Sequence, residues 1–223
     1  MDTNREYFLL LVDIRDSTET PASKLEPAME RLRKELKRLR RRLRDDLELG
    51  LRVSYGDEVA GLFKTPAPLY DVVASFRDAL YPEAHLRFVA TRGRIAVVSR
   101  DIRAVGGPVF KEADAAMERL KRSKRYAAWH LGDPLLNAVL DSLTGTANAL
   151  LEDMTRNQRE VFGFVRQDLS RVEVAEKMGK SKQSVSSAAV RGNADLIVEA
   201  EDVIRQLLSR LGQKDSVVSR MSK

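Results

Sequence analysis

The sequence predicts an α+β protein: a ferredoxin-like sheet with helices on one face, followed by an all-α helix-turn-helix domain. Three observations carry that reading. Up to about residue 131, strand-like runs alternate with amphipathic helices in the order β-α-β-β-α-β, that of a split βαβ sheet. Beyond residue 131 no strand-like run is left. Finally, Ser170 to Ser186 carries the punctuation of two short helices meeting at a tight turn.

The first strand is read over Glu6 to Ile14, where Tyr7-Phe8-Leu9-Leu10-Leu11-Val12 is apolar without alternation, as a strand buried on both faces should be. A helix is expected from about Ala22 to Leu47, ended by Gly50, because Leu25, Met29, Leu32, Leu36, Leu39 and Leu43 recur at spacings of three and four. The same helix carries Arg31, Arg33, Lys34, Lys37, Arg38, Arg40, Arg41, Arg42 and Arg44 against almost no acid. That face is either simply solvated or also attractive to DNA or another anionic partner. Leu51 to Tyr55 and Val59 to Phe63 flank Gly56-Asp57, a hairpin signal. A helix from Pro68 to Leu80 precedes strand-like Leu86 to Thr91 and Arg94 to Val98, with Gly93 as a bulge or bend. A helix from Phe110 to Arg122 and a short strand from Tyr126 to Leu131 complete the sheet region.

In the second region, Asp133-Pro134 starts a helix through Leu135, Leu136, Val139, Leu140 and Leu143, which Gly145 is expected to bend or break before Leu150 and Leu151. Thr155 with Gln158, and Ser170 with Glu173, have capping-box spacing. Ala175 permits close helix approach, Gly179 supplies a positive φ for the turn, and Val174, Met178 and Val185 close the inside of the angle. Ser181 can cap the following helix. Its outward face holds Lys182, Gln183, Ser186 and Ser187, and no acid occurs between Lys177 and Arg191. Lys180, Ser181, Lys182, Gln183, Ser186, Ser187 and Arg191 are the expected contacts to double-stranded DNA. The plainer reading is a helical hairpin that packs or binds protein. After Gly192-Asn193 a last helix is expected from Asp195 to Leu211, then a polar, frayed tail. The predicted domains are 1–131, a connecting helix at 132–154, the helix-turn-helix at 155–211 and a tail at 212–223.

Composition narrows the chemistry. The chain has 223 residues, a net charge of +6, no Cys and two His, which removes disulfides and thiolate chemistry and leaves His-based sites little support. Neither His85 nor His130 sits in a metal-ligand spacing. No run approaches the roughly 20 apolar residues that span a bilayer. A cytoplasmic protein with no membrane partner is the expectation.

Asp13 ends the first strand and Asp57 sits at the hairpin tip. In a ferredoxin-like sheet both carboxylates can reach the same edge, where they suit a hard divalent cation such as magnesium. Equally, they can cap helices or bond local amides. The two segments "LLVDIRDST" and "SYGDEVAGLF" resemble the metal-binding segments of class III nucleotidyl cyclases, whose palm is ferredoxin-like. That resemblance implies metal-bound aspartates at Asp13 and Asp57. Where the cyclases carry an asparagine and then an arginine on the helix after the fourth strand, this sequence offers Phe110 and Asp114. A missing transition-state cation removes orders of magnitude in rate, so cyclase activity is not expected.

A "DIxDS" first strand, a "GDE" hairpin, a "GxxF" step before a helix ending in Lys and a C-terminal helix-turn-helix together are similar to the SatD family, from about Tyr7 to Leu208. The resemblance implies a DNA-binding regulator whose cyclase-like, degenerate N-terminal domain senses a ligand or mediates assembly. A homodimer is expected, because one helix-turn-helix covers few base pairs. Two alternatives stay open: a metal-dependent enzyme binding or transferring nucleotides at Asp13 and Asp57, and a protein-interaction module.

Overall fold

The structure, a computed structural model, describes residues 1–15, 17, 19–53, 58–123 and 125–221, the side chains of 214–221 excepted. Its chain divides into two units, one formed by Met1–Asp141 with Arg205–Lys223 and the other by Ser142–Ile204.

In the first unit β1 (Glu6–Arg15), β2 (Leu47–Val53), β3 (Val59–Phe63), β4 (His85–Arg94) and β5 (Ala127–His130) form one sheet in the order β2-β3-β1-β4-β5. β1 lies at the centre, antiparallel to β3 and to β4, and β5 adds a parallel edge beside β4. This is the ferredoxin-like order with one strand appended. The central position explains why β1 is apolar from Tyr7 to Val12: each of its faces meets a helical layer. Tyr7, Leu9 and Leu11 pack with Val109, Ala113, Ala116, Met117 and Leu120 of α3 (Pro108–Lys121). Phe8, Leu10, Val12 and Ile14 alternate onto the other face, covered by α1 (Ala22–Arg42) and α2 (Leu69–Leu80). Helices thus cover one face as expected, and α3 supplies a second layer opposite them.

α1 stops at Arg42, and β2 begins at Leu47, inside the span read from sequence as helix. Leu47, Leu49 and Leu51 follow a period of two that the helical leucine series masked. Gly50 lies within β2, inside the register shift between Leu49 and Arg52, and ends no helix. β4 is a single strand to Arg94. Gly93 keeps α3 close to it, since a Cβ there would stand 3.2 Å from Val109 Cβ. The strand expected over Arg94 to Val98 is reduced to one bridge between Val97 and Gly106.

The second unit is helical. α4 (Pro134–Glu152) enters it from the sheet unit, α5 (Arg156–Val165), α6 (Arg171–Met178) and α7 (Lys182–Arg191) lie within it, and α8 (Ala194–Met221) leads back. Leu151, Val161, Phe162, Val174, Val185, Ala188, Ala189 and Ile197 form its core. Gly145 does not break α4. A helical glycine costs about 1 kcal/mol, whereas each fully buried leucine such as Leu140 or Leu151 returns roughly 1.5–3 kcal/mol. α8 continues past Leu211, where the sequence reading ended it; Gly212 there sits against Pro66. Among the described residues no helix is long and apolar enough to cross a membrane.

Candidate functional site

The strand-end carboxylate comes first. Antiparallel pairing sets Asp13 of β1 directly opposite Arg87 of β4, on the sheet face covered by α3. Arg87 Nε lies 2.9 Å from Asp13 Oδ2, and Lys121 Nζ, at the end of α3, lies 3.3 Å from Oδ1. The Arg87 N–H is not aligned on that oxygen, so the contact is an ion pair and not a directed hydrogen bond. Arg87 also donates from Nη1 to the Lys121 carbonyl at 3.4 Å. Asp13 is only 6% exposed, and at that depth two cations supply the compensation its charge needs.

A divalent cation placed on Asp13 would sit beside two fixed positive charges. Its expected companion, Asp57, lies outside the described residues. Among the described residues no group of three His, Cys, Asp or Glu side chains is placed to hold a metal ion. Among the described residues Asp13 stands in an internal charge cluster with Arg87 and Lys121.

The α3 positions agree with that. Phe110 is half-buried and packs onto the sheet core, and Asp114 stands one turn further on. Burial first, and then Glu118, push the Asp114 carboxyl upward. An acid is the wrong charge to steady an anionic transition state. His85 pairs in register with Arg15, and His130 with Thr91, at opposite ends of β4, so the two histidines share no site. Trp129 is core: it meets Phe88 edge to face at 5.2 Å, and its amide donates to Asp141 Oδ1 at 3.0 Å.

The second place is α5 to α7. Both capping boxes form. Thr155 Oγ1 accepts from the Gln158 amide at 3.3 Å while Gln158 Oε1 accepts from the Thr155 amide at 2.8 Å. Ser170 Oγ accepts from the Glu173 amide at 3.3 Å, and Glu173 Oε2 accepts from the Ser170 amide at 2.8 Å. The Ser170 hydroxyl holds the Glu173 carboxyl below its usual range, with its amide and Lys177 adding to the effect. Gly179 takes φ 62 and ends α6, and Ser181 Oγ accepts from the Ser184 amide to start α7. Val174 and Val185 are buried inside the angle, and Ala175 is buried beside them.

α7 buries Val185, Ala188 and Ala189, which turns the remainder of its surface outward. Lys182 and Gln183 are exposed, Ser186 and Ser187 half-buried, and Arg191 exposed. No acid occupies its first turn, so beyond the Ser184 amide that Ser181 caps, its positive end meets no negative side chain of its own turn. Ser181 spends its hydroxyl on the cap. Lys180 donates to Asn157 of α5, and Arg191 Nε donates to the Ser187 carbonyl at 3.3 Å. All seven expected contact residues lie on α7 or the turn before it.

One residue of this face escaped the sequence reading. Val190, 72% exposed, stands on the same line as Gln183 and Ser187 at spacings of four and three. The helical repeat counted onward from Gln183 is the signal that finds it. Ionic contacts brace the unit from within: Arg171 bridges α6 to Asp195 of α8 at 2.6 Å, and the fully buried Glu201 lies 3.9 Å from Arg166.

No family model matches the chain, and no curated protein matches it. Solved structures do. The guanylyl cyclase domain of the RhoGC fusion protein from Blastocladiella emersonii aligns with 56% of this chain and 78% of its own, at 15% identity and TM-score 0.37. The guanylate cyclase domain of RhGC from Catenaria anguillulae aligns with 56% and 77%, at 16% identity and TM-score 0.37. A regulator of polyketide synthase expression from Bifidobacterium adolescentis aligns with 94% and 81%, at 12% identity and TM-score 0.29. These are weak likenesses, and the ferredoxin-like class rests on the strand order itself.

Proposed function

We propose that this protein is a sequence-specific DNA-binding regulator of the SatD type. In this reading α6 and α7 are a helix-turn-helix, with α7 entering the major groove. The observation that carries it is the exposed, acid-free first turn of α7, held outward by the Gly179 turn and the Ser181 cap. Gln183 reads a base edge through its amide, and Lys182 with the first-turn amides takes phosphate. Ser187 and Val190 extend the reading line, the valine suited to a thymine methyl. Lys180, Ser186 and Arg191 border that line.

Useful specificity requires two such helices, so the protein acts as a homodimer on paired half-sites. The sheet unit is a cyclase-like domain without cyclase chemistry, serving ligand sensing or assembly. Nucleotide chemistry at Asp13 would first require that carboxylate to leave Arg87 and Lys121.

Selection of bound sequences from a randomised duplex pool at near-physiological salt tests the reading. Enrichment of a motif, with two inverted half-sites, is expected. Binding that enriches nothing and disappears as salt rises leaves only an electrostatic contact and contradicts it.

A further inference from the structure

We infer that the outer face of α1 is a second contact surface for duplex DNA, recognising the phosphate backbone without reading sequence. The inference goes beyond the role of α7 and stands without it.

Between Glu30 and Arg44 there are nine cations and two acids, a net charge of +7. The whole chain carries +6, so everything outside these residues sums to −1. Counted on through the turn to Asp46, which adds two acids, the segment still carries +5 of the chain's +6, so most of the protein's basic excess lies in one helix and the turn after it.

The structure sorts these cations by what they already hold. Arg31 donates to the Ala79 and Tyr81 carbonyls, at 2.8 and 3.2 Å, and to Glu83. Lys34 pairs with Glu30 at 2.9 Å, Arg38 Nε with Glu35 at 2.8 Å, and Arg40 donates to the Leu51 carbonyl. Both acids of the segment are thus committed. Arg33, Lys37, Arg41, Arg42 and Arg44 are exposed, and among the described residues none makes a short ion pair or hydrogen bond, although the Glu30 carboxylate lies within electrostatic reach of Arg33. Arg33, Lys37 and Arg41 follow one another at i, i+4 and i+8, a line about 12 Å long at 1.5 Å per residue. Like charges at that spacing weaken a helix. Within the chain Glu30 beside Arg33 and the C-terminal end of the helix at Arg41 offset only part of this cost, and a dense row of phosphates is a partner that removes the rest.

The opposite face of α1 decides between DNA and a lipid surface. A basic helix that lies in a bilayer must insert its apolar stripe. Here Ala28, Leu32, Leu36 and Leu39 are buried within the protein's own core and cannot be inserted. A surface that offers charge alone, on a packed helix, fits a polyanionic backbone.

The test uses the full chain and a short duplex of random sequence, with affinity measured across a salt series. Replacing Arg33, Lys37, Arg41 and Arg44 together by Gln is expected to flatten the slope of log K against log salt by roughly 3 to 4, at about 0.9 per phosphate contact. The charge-keeping set Arg33→Lys, Lys37→Arg, Arg41→Lys and Arg44→Lys is expected to retain the wild-type slope. Single changes such as Arg41→Gln, each expected to remove about 0.9, keep the test decisive if the fourfold variant folds poorly. An unchanged slope in the Gln variants overturns the inference. So does absence of any binding to the random duplex, or retention of vesicles containing anionic lipid in preference to the duplex. Gln183→Ala, measured in parallel on the same random duplex, is expected to leave the slope untouched, so failure of the α1 surface and failure of the α7 reading register separately.

Discussion

Asp13 and Arg87 face each other across the β1–β4 register, with Oδ2 and Nε 2.9 Å apart, and Lys121 closes the cluster from α3. The carboxylate at the end of β1 is therefore met by two cations from within the chain. Removing one member of a buried charge cluster costs more than the cluster contributes, because the others are left uncompensated.

Asp13→Asn should accordingly destabilise the sheet unit by roughly 2 to 4 kcal/mol, somewhat under the 3 to 5 of fully buried pairs because Lys121 is partly exposed. Pairing it with Arg87→Met should restore part of the loss. Urea denaturation without divalent ions reads both. A metal-ligand Asp13 with no internal partner predicts the opposite, a neutral or stabilising Asp13→Asn change.

Two glycines should respond with opposite signs. Gly179 sits at φ 62, where a Cβ costs about 1 to 2 kcal/mol, so Gly179→Ala should lower the melting temperature. Gly145 lies inside α4, and a methyl group added there would meet nothing within 4 Å, so Gly145→Ala should add about 1 kcal/mol of helix propensity. Thermal melts of the two variants give the comparison.

Much of the helical unit was legible because its signals are local. A capping box, a left-handed glycine and an N-cap serine each act within four residues, and Thr155, Ser170, Gly179 and Ser181 all perform as their spacing predicts. The α1–β2 boundary was not, because leucines at Leu43, Leu47 and Leu51 satisfy a helical period and, from Leu47 on, a strand period as well. The partners of Asp13 were hidden for a different reason. Arg87 and Lys121 are distant in sequence, and only strand register and the seating of α3 bring them to β1.

The Glu173 cap carries a pH signature. Its folded carboxyl titrates below the ordinary value, so it contributes stability above about pH 4.3 that is lost as pH falls through the lowered folded value. Glu173→Gln should melt below the wild type near neutral pH, and the gap should narrow once both side chains are uncharged. A gap that stays constant on acidification assigns the cap to hydrogen-bond geometry alone.

Replacing Gln183 by Ala tests the central claim most directly, with affinity compared on the pool-enriched duplex and on a scrambled duplex of equal length. If α7 reads bases, the enriched duplex loses about 1 to 3 kcal/mol, roughly 5- to 150-fold, and the scrambled duplex loses nothing. Equal losses on both, or none on either, contradict a base-reading α7.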